Sequence, residues 1–147
     1  MKKGILVLFP FVSTLAMAFV PGHYCGEGEW KTTASYTGTF TETIDIESCD
    51  GGFTIEARSK AFYNNRMVED ETRNTRAVNT GNGFFRVESN GQAVGTGFCY
   101  GSTCHMEFKT PGRLRQETFH FENGRLHQIG SYHGSSFDAS WTGTLRD

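Results

Sequence analysis

The stretch GTFTETIDIESCDGGFTIEARSKAFYNNRMVEDETRNTRAV, residues 38–78, contains two turn dipeptides between segments that alternate apolar and polar side chains. Asp50-Gly51 and Asn64-Asn65 suit two-residue hairpin turns, because Asp, Asn and Gly tolerate the positive φ that such turns require. The stretch therefore predicts three antiparallel strands. Since side chains alternate between the two faces of a strand, the two turns also predict which residues share a face.

One face of these three strands is predicted to face the core. Its apolar members are Phe40, Ile44, Ile46, Phe53, Ile55, Ala57 and Val68. Its polar members are Glu42, Ser59, Asp70, Thr72, Asn74 and Arg76. On the opposite face the same register pairs residues of opposite charge, Lys60 with Glu69, Arg58 with Glu71 and Glu56 with Arg73, which supports the assignment. Charged residues on a core face are the strongest functional signal in the sequence.

Turn signals continue along the rest of the chain, and helical periodicity is almost absent. The predicted turns are Gly81-Asn82, Asn90-Gly91, Gly101-Ser102, Pro111-Gly112, Asn123-Gly124 and Gly134-Ser135. A content of 18 Gly and 13 Phe also favours strands and tight turns. Strands that follow one another without a covering helix leave no exposed edge only if the sheet closes. We therefore predict an all-β fold, a closed antiparallel up-and-down barrel of about nine to ten strands.

Two irregularities are expected in this barrel. Residues 26–48 are predicted to form one long strand that bends at Gly38, because a strand of that length must turn a corner in a small barrel. Val94, Thr96 and Phe98 are predicted to face inward. The apolar side chains after the Gly101-Ser102 turn do not continue this alternation. A β-bulge between Thr103 and Glu107 would restore it and would place Met106 and Phe108 inside.

The first residues, MKKGILVLFPFVSTLAMA, have the parts of a secretory signal peptide. Lys2 and Lys3 form a basic start, an apolar segment follows, and Ala16-Met17-Ala18 has the small-x-small pattern that precedes cleavage. The apolar segment is too short to span a bilayer. We expect a signal peptide over residues 1–18, a single β-barrel domain over residues 19–147, a periplasmic or secreted location, and no transmembrane segment in the mature chain.

All four cysteines lie after the predicted cleavage site. An even number of cysteines in an oxidising compartment predicts two disulfides, for which three pairings are possible. Cys99 and Cys104 flank a predicted turn and would lie directly opposite each other, as a cross-strand bridge requires. This pairing leaves Cys25 with Cys49. The alternative is a zinc site, against which stand the absence of a Cys-x-x-Cys motif and of zinc-finger histidine spacing.

Gly28-Glu29-Trp30 is similar to the Gly-x-Trp motif at the first strand of lipocalins, and Arg146 resembles the arginine that packs across that tryptophan. With the strand series, these residues resemble the calycin-type barrels: lipocalins, avidins, fatty-acid-binding proteins and nitrobindin-like proteins. The chain is shorter than lipocalins and lacks their C-terminal helix. The resemblance implies a barrel with a binding role, without naming a ligand. Through nitrobindin-like proteins it implies His105 and His133 as candidates for a haem or metal ligand at the barrel mouth.

The predicted interior suits a small, partly apolar ligand. Aromatic side chains would hold its body and charged ones its polar end. The aromatic walls are predicted to be Phe40, Phe85, Phe98, Phe119, Tyr132 and Trp141. The candidate ligand-binding residues are Glu42, Asp70, Thr72, Asn74, Arg76, Phe85, Arg115, Tyr132 and Trp141. We expect a small lipophilic or amphipathic ligand, no cofactor and no metal, and no nucleic acid, since the formal net charge is −2 at pH 7.

Other interpretations stay open at the level of sequence. The protein could be an interaction or inhibitor-type envelope module with a filled core. Glu42 and Asp70, predicted ~10 Å apart, could perform acid–base catalysis, or Arg76 and Arg115 could neutralise them in a structural network. No hydrolase elbow, phosphate loop or nucleotide fingerprint is present, so we do not expect an enzyme. His120 and His127 are predicted to face each other on the outer wall as an exposed pair.

Overall fold

The structure, a computed structural model, describes residues 19–147, so the predicted signal peptide over residues 1–18 lies outside the described residues. The described chain forms ten strands: β1 (Gly22–Thr32), β2 (Thr37–Cys49), β3 (Gly52–Tyr63), β4 (Arg66–Gly81), β5 (Phe84–Ser89), β6 (Gln92–Tyr100), β7 (Thr103–Thr110), β8 (Arg113–Glu122), β9 (Arg125–His133) and β10 (Asp138–Arg146). Each strand pairs antiparallel with the next, and β10 pairs with β1. The predicted closed barrel is confirmed. Within residues 19–147, no helix is long and apolar enough to cross a membrane.

The predicted turn dipeptides lie between the strands, and their backbone explains their composition. Positive φ values occur at Gly51, Asn64, Asn65, Asn82, Asn90, Gly91, Gly101, Gly112, Asn123 and Gly124. Residues that tolerate this conformation therefore define the hairpins, as the sequence indicates.

The long bent strand predicted over residues 26–48 is instead a hairpin of β1 and β2. A tight turn joins them, in which Ser35 has a φ of 65° and the Thr32 amide donates to the Tyr36 carbonyl at 2.9 Å. Gly38 is not a corner. A Cβ at this position would come within 2.4 Å of the Trp30 ring, so glycine here allows the indole to lie flat against the backbone of β2.

A β-bulge reverses the predicted faces of β4. The pairing of β3 with β4 shifts by one residue between Ala61 and Phe62, and Val68 is the extra residue on β4. A shift by one residue moves every following side chain to the opposite face. The inward positions are Glu71, Arg73, Thr75 and Ala77; the outward positions are Asp70, Thr72, Asn74 and Arg76. The predicted outer pairs are accordingly wrong: Lys60 faces Asp70, Arg58 faces Thr72 and Glu56 faces Asn74.

A second bulge falls one hairpin earlier than predicted. The β5–β6 register shifts after Val87, and Val94 is the extra residue. Strands β6 and β7 then pair without a shift, so the bulge predicted between Thr103 and Glu107 is absent. The bulge keeps Met106 inside, where it is buried. It also turns Phe98 to the outer wall, where this side chain is 42% exposed, contrary to its predicted role in the aromatic wall.

One end of the barrel interior is packed with apolar side chains. Its buried members include Tyr24, Ile44, Ile46, Val87, Met106, Phe119, Phe121, Leu126 and Leu145. Phe19 closes this end, with 3% of its surface exposed. Its ring lies 5.3 Å from that of Phe85 and 6.2 Å from that of Phe119, centroid to centroid. We call this part of the interior the closed half.

The predicted disulfide between Cys99 and Cys104 is confirmed. The second predicted disulfide is wrong, because Cys25 and Cys49 are both free. Cys25 lies opposite Thr43 on β2, and Cys49 is roughly 20 Å further along that strand at the usual rise per residue. A disulfide cannot span that separation.

Candidate functional site

The end of the barrel opposite Phe19 is open, and we call this opening the mouth. A cavity of about 650 Å³ enters the barrel there, a volume within the range of small-molecule sites. Aromatic side chains form most of its wall: Trp30, Phe40, Tyr132, Phe137 and Trp141. Its floor is polar and includes Glu42, Ser59 and Arg115. The cavity therefore combines an apolar wall with a charged floor.

The floor is part of a network of five side chains that we call the charge cluster: Glu42, Glu71, Arg73, Arg115 and Glu117. Arg73 Nη1 donates to Glu117 Oε1 at 3.0 Å, and Arg115 Nη2 lies 2.8 Å from the same oxygen. Arg73 Nη2 lies 3.5 Å from Glu42 Oε1. Glu71 Oε2 is 3.6 Å from Arg115 Nη1 and 3.7 Å from Arg73 Nε. Glu117 and Glu42 are almost completely buried, whereas Glu71 and Arg115 reach solvent.

Arg115 connects the charge cluster to the aromatic wall. Its guanidinium carbon lies 4.8 Å from the centroid of the Trp141 ring, a cation–π distance. Gly130 faces Trp141 across the β9–β10 pair, and a Cβ at Gly130 would come within 2.0 Å of the indole. The glycine thus makes room for the ring to lie across the barrel wall beneath the mouth.

The charge cluster has one more carboxyl group than guanidinium groups, and Glu42 carries the imbalance. Burial raises the pKa of Glu42 to about 7, and the Glu117 carboxylate adds to the increase, while Arg73, Arg115 and Gln128 reduce it. Burial would also raise the pKa of Glu117, but Arg73 and Arg115 outweigh it and hold that pKa below its ordinary value. Glu42 is consequently the member of the charge cluster that can gain or lose a proton near neutral pH.

Two buried polar side chains beside the floor keep unused hydrogen-bonding capacity. Gln128 is 1% exposed, and within residues 19–147 its amide nitrogen and oxygen have no partner in strict hydrogen-bonding geometry. The amide is nevertheless near enough to the Glu42 carboxyl to lower the pKa of that group. The Nε atom of Arg73 likewise has no hydrogen-bond partner among residues 19–147. Buried polar groups are nearly always satisfied, and an exception is a reason to look for a ligand or an ordered solvent molecule. Neither residue lines the mouth cavity, where Glu42, Ser59 and Arg115 form the polar floor.

The structure brings together some of the predicted site residues and separates others. Glu42, Arg115, Tyr132 and Trp141 line the mouth cavity. Phe85 is inside but belongs to the closed half, where it packs on Phe19. Thr72, Asn74 and Arg76 are exposed on the outer wall, which contradicts their predicted place on the cavity floor. Asp70 borders the mouth but is likewise exposed, opposite Lys60.

Arg73, and not the predicted Arg76, has its guanidinium group inside the barrel. Arg76 Nη2 donates to the Asp50 carbonyl at 2.7 Å on the outside of the barrel. Both parities of β4 contain charged residues and only a few apolar ones, so the hydrophobic pattern hardly specifies the register. A detectable signal was present for Gln128, because it shares the inward parity of Leu126 and Tyr132.

The histidines take no part in the mouth cavity. His120 and His127 face each other as predicted, with ring centroids 6.4 Å apart, and each contacts a threonine hydroxyl. His105 packs against Phe98 on the outer wall, with the two rings tilted and their centroids 4.9 Å apart. His133 lies at the rim, 3.4 Å from Asp138. Among residues 19–147 no group of three or more potential metal ligands comes together.

The lipocalin-like contact between Trp30 and Arg146 does not form. On β10, Trp141 lies opposite Trp30, whereas Arg146 lies opposite Cys25 near the other end of the barrel. Trp30 instead donates its indole N–H to the Thr39 carbonyl at 3.0 Å and packs beside Tyr63. The motif thus lies at the mouth and helps to form the cavity wall.

No protein-family model and no curated protein matches the sequence. The fold does have solved counterparts. The S-type phycobiliprotein lyase CPES from Guillardia theta superposes with a TM-score of 0.68 at 12% identity, over 86% of this chain and 88% of that chain. Rv2717c from M. tuberculosis superposes with a TM-score of 0.54 at 10% identity, over 86% of this chain and 91% of that chain. Both are calycin-like, and the ten-strand closed barrel of this chain is therefore a calycin-like barrel.

Proposed function

We propose that this protein binds a small amphipathic molecule in the mouth cavity and does not transform it. The observation that carries the proposal is the cavity of about 650 Å³, with aromatic walls and a buried charged floor. A filled structural core would not need such a space. Glu42, Ser59 and Arg115 on that floor supply the polar groups with which a ligand would form hydrogen bonds.

The charge of the cavity indicates the kind of polar end that it accepts. Glu69, Asp70 and Glu71 border the mouth, and Arg115 lines the cavity with them. Deeper in, the charge cluster has one carboxyl group in excess. A ligand with a neutral, hydrogen-bond-donating or positively charged end would pair with Glu42, whereas a carboxylate would be repelled. The aromatic wall also favours a cation.

The structural comparisons support a binding role at the level of the fold. One counterpart is a phycobiliprotein lyase, so a barrel of this shape is used by a protein that acts on phycobiliproteins. At 12% identity the likeness does not extend to the ligand. The nature of the ligand is instead inferred from the aromatic wall and the acidic mouth of this chain.

Tryptophan fluorescence provides a direct test, because both tryptophans of the chain line the cavity. Titration with n-decylamine and with n-decanoic acid compares a cationic and an anionic end on equal chains. We expect a saturable fluorescence change with the amine that is at least about tenfold tighter than with the acid, which corresponds to ~1.4 kcal/mol. The Phe40→Ala variant should weaken it. Absence of saturation with either compound, or equal affinity for both, would contradict the proposed site.

The natural ligand can be sought by native mass spectrometry of the protein purified from its own compartment. We expect a co-purifying small molecule that the Glu42→Leu variant loses. As a matched control, Glu47→Leu changes a glutamate on the same strand that lies outside the cavity lining, and this variant should retain the ligand. A protein that is free of ligand in several preparations and whose cavity accepts no probe would favour the alternative of an interaction module.

We also propose export through the Sec-type signal in residues 1–18. The position of Phe19 supports this, since the first residue after the predicted cleavage site is buried and fills the closed half. The intact mass of the protein from the periplasm or medium should correspond to a chain that starts at Phe19. A full-length chain that stays inside the cell would overturn the proposed export and leave the binding site unaffected.

A further inference from the structure

A second group of reactive side chains lies on the outer wall, away from the mouth cavity. The Sγ atom of Cys25 is 3.1 Å from Nε2 of His23. The other ring nitrogen of His23, Nδ1, is hydrogen-bonded to Oδ1 of Asp45. A thiol, an imidazole and a carboxylate thus form a continuous chain of hydrogen bonds, the arrangement that activates nucleophiles in unrelated folds.

The β1–β2 pair creates this group through simple strand geometry. His23 and Cys25 are two residues apart on β1, so their side chains leave the strand on the same face. Asp45 lies directly opposite His23 on β2, the position at which cross-strand side chains meet. His23 is the second residue of β1, and Cys25 and Asp45 lie further inside their strands. All three residues are paired in the β1–β2 ladder or lie within it, so regular sheet backbone instead of a loop holds them.

The direction of the hydrogen bonds gives each residue a distinct role. An ionised carboxylate can only accept, so the proton between Asp45 and His23 lies on Nδ1. Nε2 is then left as the acceptor and faces the Cys25 thiol. Transfer of the thiol proton to Nε2 would produce a thiolate beside an imidazolium, and the thiolate is the reactive form of cysteine.

The surroundings of Cys25 allow a molecule from solution to reach it. Cys25 is exposed and unpaired, and it lines an open groove of about 900 Å³ together with Glu27, Thr144 and Arg146. Arg146 lies opposite Cys25 on β10 and provides a positive charge on the side of β1 that faces away from Asp45 on β2. Among the outward-facing charged residues of these three strands, Glu27 on β1, Asp45 on β2 and Arg146 on β10 are the closest in register to the thiol, while Glu42 on β2 faces the interior.

We propose that Cys25 is a nucleophilic thiol site that exchanges with small-molecule disulfides, with His23 as its base and Asp45 as a positioning residue. The Cys25 thiolate attacks one sulfur of the disulfide, and a Cys25–S–S–R bond forms as the S–S bond of the reagent breaks. The departing thiolate takes the proton from His23, so atoms and electrons balance without a further oxidant. Cys49 lies too far away to resolve the mixed disulfide internally, which makes the adduct persistent.

The test uses the mature chain with the Cys99–Cys104 bridge intact and a Cys49→Ser background, so that Cys25 is the remaining free thiol. The rate of reaction with dithiodipyridine is measured as a function of pH for this protein and for its His23→Gln and Asp45→Asn variants. Near pH 6 we expect both variants to react about tenfold more slowly. At about pH 10, where any thiol is ionised, the three rates should converge.

Convergence at high pH is the decisive outcome, because a variant that merely buried or misplaced Cys25 would stay slow at every pH. Parallel pH profiles for all three proteins would overturn the proposal. Intact-mass spectrometry after incubation with oxidised glutathione should show one adduct per chain, absent in Cys25→Ser. A covalent dimer without that adduct would assign the thiol to a second copy of the chain and would also overturn the proposal.

Discussion

The closed half and the mouth half of this barrel follow the same alternation of side chains and have opposite interiors. In the closed half, strand after strand contributes an apolar residue, and Phe19 fills the remaining space. In the mouth half, the inward positions of β2, β4 and β8 contribute the charge cluster below an open aromatic cavity. Apolar packing in the closed half stabilises the barrel, whereas charged side chains occupy the interior of the mouth half.

The two halves differ in how tolerant they are of change. The free energy gained by burying apolar groups hardly depends on their orientation. The closed half therefore needs only side chains of the right volume that pack closely. The charge cluster depends on each partner, because the loss of one charge leaves another buried without compensation. Substitutions therefore test the comparison directly when the same change is made in both halves or on both faces.

The largest effect is expected for Arg73→Met. This change leaves Glu42 and Glu117 buried without their shared cation and should lower the free energy of unfolding by about 3–5 kcal/mol. Arg76→Met is the matched control, since it makes the same change on the outer face of β4, and it should alter stability by less than about 0.5 kcal/mol. Chemical denaturation measures both. The opposite ranking would mean that Arg76, and not Arg73, points into the barrel.

Leu126→Ala tests the closed half. Leu126 is fully buried, and its truncation should leave a cavity that lowers the free energy of unfolding by about 3 kcal/mol. The counterpart in the mouth half is Phe137→Ala, at a ring that is 48% exposed. We expect a loss below about 1 kcal/mol, together with weaker binding of n-decylamine. Equal losses of stability would remove the distinction between the two halves.

Glu42→Gln should be stabilising at neutral pH and without effect in acid. The pKa of Glu42 rises from 4.5 to about 7 on folding. As the pH rises through that interval, the unfolded wild type releases this proton while the folded protein retains it, so the wild type loses stability. The variant lacks this loss and should be more stable above pH 7 by at most about 3 kcal/mol.

Below pH 4.5 the side chain is uncharged in both proteins, and their stabilities should coincide. Glu117, whose pKa is lowered, contributes in the opposite sense, with stability that is lost as the pH falls, but it does so in both proteins. Thermal unfolding between about pH 4 and about pH 8 measures the difference. A constant offset across this range would show that Glu42 does not titrate near neutral pH in the folded protein.

The smallest effect is expected for Asp70→Asn. Asp70 borders the mouth from the outer face of β4 and is exposed, so the change should alter stability by less than about 0.5 kcal/mol. It removes one negative charge near the entrance, and the affinity for n-decylamine should fall by no more than about threefold, at the scale of exposed ion pairs. A complete loss of binding would place Asp70 inside the site after all.

Local sequence signals were sufficient wherever a single residue type determines a conformation. Asn, Asp and Gly at positive φ identify the hairpins, and the Cys99–Cys104 pair follows from its turn. The turn between β1 and β2 was missed because Ser35 adopts a positive φ that its residue type does not favour. The placement of Glu42 in the interior also followed from alternation along β2. The inward placement of Arg115, Tyr132 and Trp141 was predicted through a bulge between Thr103 and Glu107, and the bulge at Val94 has the same effect on their faces.

The sequence by itself determined the all-β class, the turns, the closed barrel and the amphipathic composition of its interior, because these depend on side-chain period and local backbone preference. Only the tertiary structure decided which charges enter the barrel. A bulge at Val68 inserts one residue into β4, and this single step moves Arg73 inward and Arg76 outward. The same holds for Cys25, His23 and Asp45, which the β1–β2 pairing brings together. Register is a property of two strands, and neither strand alone encodes it.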